Sequence, residues 1–166
     1  MRYNKIRMMD ISNGPGVRVS VFVQGCTFGC KGCFNPETHD FKDGKEFTTE
    51  EVERIITLAN KDQIRGLSIL GGEPLHPKNI ESVTMLAEYF KYKYPEKDIW
   101  IWSGFRYEDL LKENVKIFDY IDVLVDGQFK EELKDLRLKY CGSQNQRVID
   151  IKESIKQNEL VLYKER

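Results

Sequence analysis

The 166-residue chain has no apolar run approaching the roughly 20 residues needed to span a bilayer, so no membrane-crossing helix is expected. It also lacks an excess of charge of either sign. Its 26 Lys and Arg stand against 27 Asp and Glu, a net charge of -1, which leaves no electrostatic footprint for nucleic acid or for an anionic membrane surface. The N-terminal stretch Met1 to Asp10 is polar and charged and has no apolar signal-peptide core, so the expected location is a reducing cytoplasm, where disulfides are rare. Low-complexity tracts and solenoid-period repeats are missing too. At 40% hydrophobic and 32% charged, residues 1–166 read as one globular domain with room for a real core.

Cysteine is scarce but unevenly placed. Three of the four cysteines fall in Cys26-Thr27-Phe28-Gly29-Cys30-Lys31-Gly32-Cys33, directly after the apolar run Val17 to Val23, which reads as a buried strand. Thiolates at intervals of four and three residues can converge on one metal centre, and the glycines keep the loop sterically open. The spacing matches neither a four-cysteine ferredoxin run nor a pair of zinc knuckles, because Cys141 lies far downstream and the two histidines, His39 and His76, are not spaced as a ligand pair. Two centres stay open on residue grounds. One is a cube of four irons on three thiolates, with one iron free to meet a substrate; the other is a structural zinc completed by His39 or Cys141, in a non-catalytic interaction module.

Strand-like and helix-like segments alternate along the chain. Thr48 with Glu51 forms a capping-box signature before Val52, Ile55, Ile56 and Ala59 at helical spacing. The apolar run Leu67 to Leu70 leads to a turn, Gly71-Gly72-Glu73-Pro74. Ile80, Val83, Leu86, Ala87 and Phe90 mark a second helix that should stop near Pro95. Ile99 to Trp102 reads as a strand, Tyr107 to Lys112 as a short helix and Val123 to Val125 as a strand. Such an order predicts an α/β fold with a parallel sheet, whose strand-end loops would face one cavity. Those loops are Cys26 to Cys33, Gly71 to Pro74, Ser103-Gly104 and Asp126-Gly127.

With these residues in hand, the chain resembles the radical S-adenosylmethionine enzymes, which combine C-x3-C-x2-C with a Gly-Gly-Glu-Pro type loop. More narrowly it resembles the activating proteins of anaerobic ribonucleoside-triphosphate reductases. The points of likeness are Asn13-Gly14-Pro15-Gly16 with Arg18, Cys33-Phe34-Asn35, Gly71 to Pro77, Asp98 to Gly104, Val123 to Gly127 with Phe129, and Gly142-Ser143-Gln144-Asn145-Gln146-Arg147. The resemblance implies an incomplete, laterally open (β/α) barrel of mainly parallel strands. A length of 166 residues agrees, being short of the roughly 250 of a full barrel.

It also implies a 4Fe-4S cluster on Cys26, Cys30 and Cys33, and S-adenosyl-L-methionine as the second cofactor. Gly32, Cys33, Phe34, Gly71, Gly72 and Glu73 would border that cofactor, with Glu73 suited to its ammonium group. Ser103, Asp126 and Asn145, polar residues at or after strand ends, are further candidates to reach a ligand, although each is better suited to a cap or turn. The implied partners are the large subunit of the reductase, on which a glycyl radical is made, and a flavodoxin-type reductant. Pyruvate formate-lyase is the alternative target. The tail 149–166 carries a helix-like start and the apolar run Leu160 to Tyr163, with no role assigned.

Overall fold

Val17–Val23 is six-sevenths buried, as expected of a β-branched run covered on both faces. In the computed structural model, which describes residues 1–165, the strands are β1 (Arg2–Asp10), β2 (Val17–Val23), β3 (Lys45–Glu46), β4 (Ile64–Gly71), β5 (Asp98–Ser103), β6 (Val123–Asp126) and β7 (Arg147–Asp150). The α-helices are α1 (Thr49–Ala59), α2 (Ile80–Lys93), α3 (Tyr107–Lys112) and α4 (Ile151–Gln157). Arg166, the last residue of the tail, lies outside the described residues. The start of α1 is fixed by the Thr48–Glu51 capping box, in which Glu51 Oε2 accepts from the Thr48 amide at 2.8 Å. No helix among the described residues is long and apolar enough to cross a membrane.

The expected barrel is not what forms. The strands make one open, mixed, seven-stranded sheet in the order β3-β1-β2-β4-β5-β6-β7. Only β2, β4, β5 and β6 run parallel; β1 pairs antiparallel with β2, β3 with β1, and β7 with β6. The reason lies at the two ends of the chain. Between β6 and β7 there is no crossover α-helix, only the 3₁₀ turn Glu131–Leu133, so the chain returns antiparallel. At the other end, β1 reads Arg-Tyr-Asn-Lys-Ile-Arg-Met-Met-Asp and buries only Tyr3 and Asp10, so it carries no alternation that sequence inspection could find. Antiparallel strands thus flank the parallel core on both sides, and β3 and β7 remain separate edges.

Strand alternation divides the side chains between the two faces. Val19, Val21, Val23, Leu67, Ile69, Ile99, Ile101 and Leu124 pack with Ile55, Val83, Leu86, Phe90 and Leu110 of the helices in the main core. The opposite face has no helical layer of comparable extent. There Trp100, Val123 and Val125 gather Trp102, Tyr140, Cys141, Val148 and Tyr163 into a smaller cluster. Arg18 is fully buried on this face, donating to Ser68 Oγ at 2.7 Å and Leu67 O at 3.0 Å and pairing with Asp98 Oδ1 at 2.5 Å. The tail runs back along β7: Asp150 N donates to Val161 O and Tyr163 N to Val148 O, both at 2.9 Å. Its Tyr163 ring meets the edge of Trp100 at 4.9 Å.

Candidate metal centre and cofactor pocket

The loops leaving β2, β4, β5 and β6 enclose a cavity of about 670 Å³ on the open face of the sheet, large enough for a small-molecule cofactor. Cys26, Cys30 and Cys33 all line it, together with Gly71, Gly72, Glu73, Ser103 and Gly104. The cysteine loop is anchored at its base through the chain that follows it. Gly25 N donates to Thr38 O at 2.7 Å and Cys26 N to His39 O at 3.0 Å, while Gln24 Nε2 donates to Glu37 O at 2.9 Å.

All three thiols are unpaired and half-buried. Burial pushes the Cys26 and Cys33 thiols up; backbone amides oppose this, from Phe28 and Gly29 on Cys26 and from Asn35 on Cys33. Asn35 N lies 3.4 Å from Cys33 Sγ. Amides directed at sulfur stabilise thiolates and tune bound clusters, so the donor set fits an iron-sulfur centre. Among the described residues no three His, Cys, Asp or Glu side chains are gathered as for one metal ion. A cube relaxes that demand, since each thiolate holds a different iron.

The Gly-Gly-Glu loop lies directly against the cysteine loop. Gly71 pairs with Val23 in the parallel ladder, Gly72 N donates to Val23 O at 2.9 Å and Glu73 N donates to Gly25 O at 2.8 Å. A Cβ on Gly72 would stand 2.5 Å from Gly25 O, so this contact between two backbones requires glycine. Glu73 is 1% exposed. Its carboxylate accepts from Ser103 Oγ at 2.8 Å, Gly104 N at 2.7 Å and Leu75 N at 2.9 Å, and burial still pushes its pKa up to about 7. In this state the group chiefly ties β4 to β5.

The remaining sequence candidates separate. Phe34 lines the cavity, tilted against Phe129 with ring centres 5.1 Å apart. Gly32 sits beside Glu131, whose Oε1 would be 2.8 Å from an added Cβ. Ser103 is at the cavity, held by Glu73. Asp126 is fully buried away from the cavity wall, where it accepts from Tyr107 N at 2.8 Å and from Arg147 Nε at 2.9 Å. Asn145 donates to Gln128 O at 2.8 Å. His76 packs on Phe41 outside the cavity, whereas His39 and Cys141 line it. Burial pushes the Cys141 thiol up to about 11.

Sequence reading passed over Phe28, Trp102 and Gln128 as lining residues. Trp102 had a usable signal, since Trp100 and Trp102 alternate with Ile99 and Ile101 and must face away from the helices. Phe28 fills the space over Gly104 and meets the Phe105 ring at 5.0 Å, and Gln128 donates to Phe28 O at 3.4 Å. Neither contact follows from periodicity.

Residues 12–149 match the model of a family described as a 4Fe-4S single cluster domain. The chain is 39% identical over 148 residues to a protein of Enterobacteria phage T4, covering 89% of this chain and 93% of that one. It is 41% identical to a protein of Salmonella typhimurium and 40% to one of Escherichia coli K12, each over 148 residues, 88% of this chain and 96% of the relative. All three relatives carry the name anaerobic ribonucleoside-triphosphate reductase-activating protein.

Proposed function

Because this chain belongs to the family of anaerobic ribonucleoside-triphosphate reductase-activating proteins, we propose that it is a radical S-adenosylmethionine activase that installs a glycyl radical on the large subunit of such a reductase. The observation that carries this reading is the convergence of three unpaired thiols and the Gly71 to Glu73 loop on one cavity. Cys26, Cys30 and Cys33 would hold the 4Fe-4S cluster. When bound, the cluster and S-adenosylmethionine would supply the one-electron radical chemistry that removes a hydrogen atom from the partner's glycine.

The protein's own part is to position and to exclude water. Glu73 fixes the Gly-Gly turn through Ser103 and Gly104, and so presents side-chain-free backbone to the cofactor. Phe28 and Phe34 give the cavity apolar wall beside the cysteine loop and would keep stray hydrogen donors away. A single-electron donor of the flavodoxin type would deliver the electron. The natural setting of such oxygen-sensitive chemistry is the cytoplasm.

The test is to reconstitute the chain anaerobically with iron and sulfide, add S-adenosylmethionine and dithionite, and assay 5′-deoxyadenosine. Its formation supports the reading; a brown protein that forms none overturns it, and a colourless zinc protein would favour an interaction module. Mixing with the reductase large subunit should then yield a glycyl-radical doublet by electron paramagnetic resonance. An equal doublet on pyruvate formate-lyase would move the target there.

A further inference from the structure

The segment Gly142 to Arg147 is rich in amide and hydroxyl side chains, and the structure shows an ordered use for them. Asp126 and Arg147 are the last backbone partners of the antiparallel β6–β7 ladder. Beyond them side chains replace the backbone bonds for the next two residues of each chain, until the backbone pairs again with a shifted register at the bridge between Lys134 and Ser143. Gln146 Nε2 donates to Gly127 O at 2.9 Å, Asn145 Nδ2 donates to Gln128 O at 2.8 Å, and Ser143 Oγ accepts from Lys130 N at 3.2 Å. Gln146 Oε1 also accepts from Gly142 N at 2.8 Å and Ser143 N at 3.2 Å, and Ser143 Oγ donates to Asn145 Oδ1 at 2.7 Å, so the zipper is braced from within.

The strand of chain held in this way touches the cysteine loop at three places, two between its thiols and one directly after Cys33. Gln128 donates to Phe28 O at 3.4 Å, Phe129 meets Phe34, and Glu131 pairs with Lys31 Nζ at 3.2 Å while lying against Gly32. Gly142 completes the clamp, since a Cβ there would fall 2.6 Å from the Phe34 ring and 3.0 Å from that of Phe129.

We propose that Asn145 and Gln146 are positioning residues. As a side-chain extension of the β6–β7 pairing, they hold Gln128, Phe129 and Glu131 over the cysteine loop and fix the shape of the cofactor pocket. The effect on the cofactor rests on the function proposed above; the clamp itself does not.

The test uses isosteric variants, Asn145→Asp and Gln146→Glu, which keep the size of each side chain and remove its donor. In the metal-free reduced chain, hydrogen exchange should rise about tenfold in residues 127–131 and also in 26–35, with α1 and α2 unchanged as the internal reference. Should either variant lose the reference protection, Ser143→Ala, which removes one outer link, decides instead. A rise confined to 127–131 overturns the proposal. In the reconstituted protein, KM for S-adenosylmethionine should rise about tenfold while kcat stays within about twofold, and a fall in kcat at constant KM overturns it. If the unaltered chain fails to cleave S-adenosylmethionine, the functional reading falls while the exchange result still judges the clamp.

Discussion

The Ser103 hydroxyl at the end of β5 donates to the Glu73 carboxylate beyond the end of β4, at 2.8 Å, in a place where Glu73 is almost wholly shielded from water. This contact joins two loops of the cavity and favours the ionised carboxylate, but burial outweighs it. Burial lifts the folded-state pKa of Glu73 from 4.5 to about 7. The folded chain therefore binds more protons than the unfolded one in that window, and stability should fall as pH rises from about 4.5 to about 7, then level off. Urea titrations of the metal-free chain across this range check it. Glu73→Gln should flatten that limb, and an unaltered slope in the variant would refute the assignment.

Glu108 should act in the opposite sense. Two 2.8 Å bonds from Arg147 hold its carboxyl down at about 2. The contribution is in place above the ordinary value of 4.5 and is lost as pH falls toward 2. Because Glu108 is half-exposed, salt should weaken the effect. Melting curves of Glu108→Gln at low pH, with and without 1 M salt, measure it.

Arg18 and Asp98 form the most deeply buried ion pair on the open face, with Arg18 fully enclosed. Removing one partner leaves an uncompensated charge. Asp98→Ala should cost about 3 kcal/mol in denaturant unfolding, and the double change Arg18→Met with Asp98→Ala should recover part of it. No recovery in the double variant would show that the pair's hydrogen bonds to Ser68 and Leu67, not its charge, matter.

Gly72→Ala would push a methyl group to within 2.5 Å of Gly25 O. The expected loss is about 1–3 kcal/mol, with faster alkylation of the cysteine-loop thiols because the two loops must part. Unchanged alkylation would mean that the loops move together.

Cys30→Ala should leave the melting temperature of the metal-free chain within about 2 °C and abolish the brown chromophore after reconstitution. Full iron and sulfide content in that variant would remove Cys30 from the ligand set.

The helices α1, α2 and α3 and the strands β2, β4, β5 and β6 were legible because their apolar residues repeat at local periods, with a capping box and Pro95 marking two boundaries. The barrel expectation failed for a physical reason. Nothing local in the charged strand β1, or in the helix-free stretch between β6 and β7, reveals which neighbour each will pair with or in which direction. In the site, packing set what the sequence left open: Glu73, expected beside a ligand, lines the cavity and its carboxylate accepts from three protein donors. Asp126 was placed by its strand end alone, and strand alternation turned it toward Arg147 and the α3 side.

By itself, the order of residues determined the thiol triad, the glycine loop and the alternation that builds a parallel core, since each is a property of neighbours along the chain. Only the tertiary structure decided that the sheet stays open with antiparallel flanks, and that Gln128, Phe129 and Glu131 come to rest among the cysteines. Those outcomes depend on pairing between segments far apart in sequence, such as Phe34 with Phe129, where the energy comes from burial and hydrogen bonds that no local window contains.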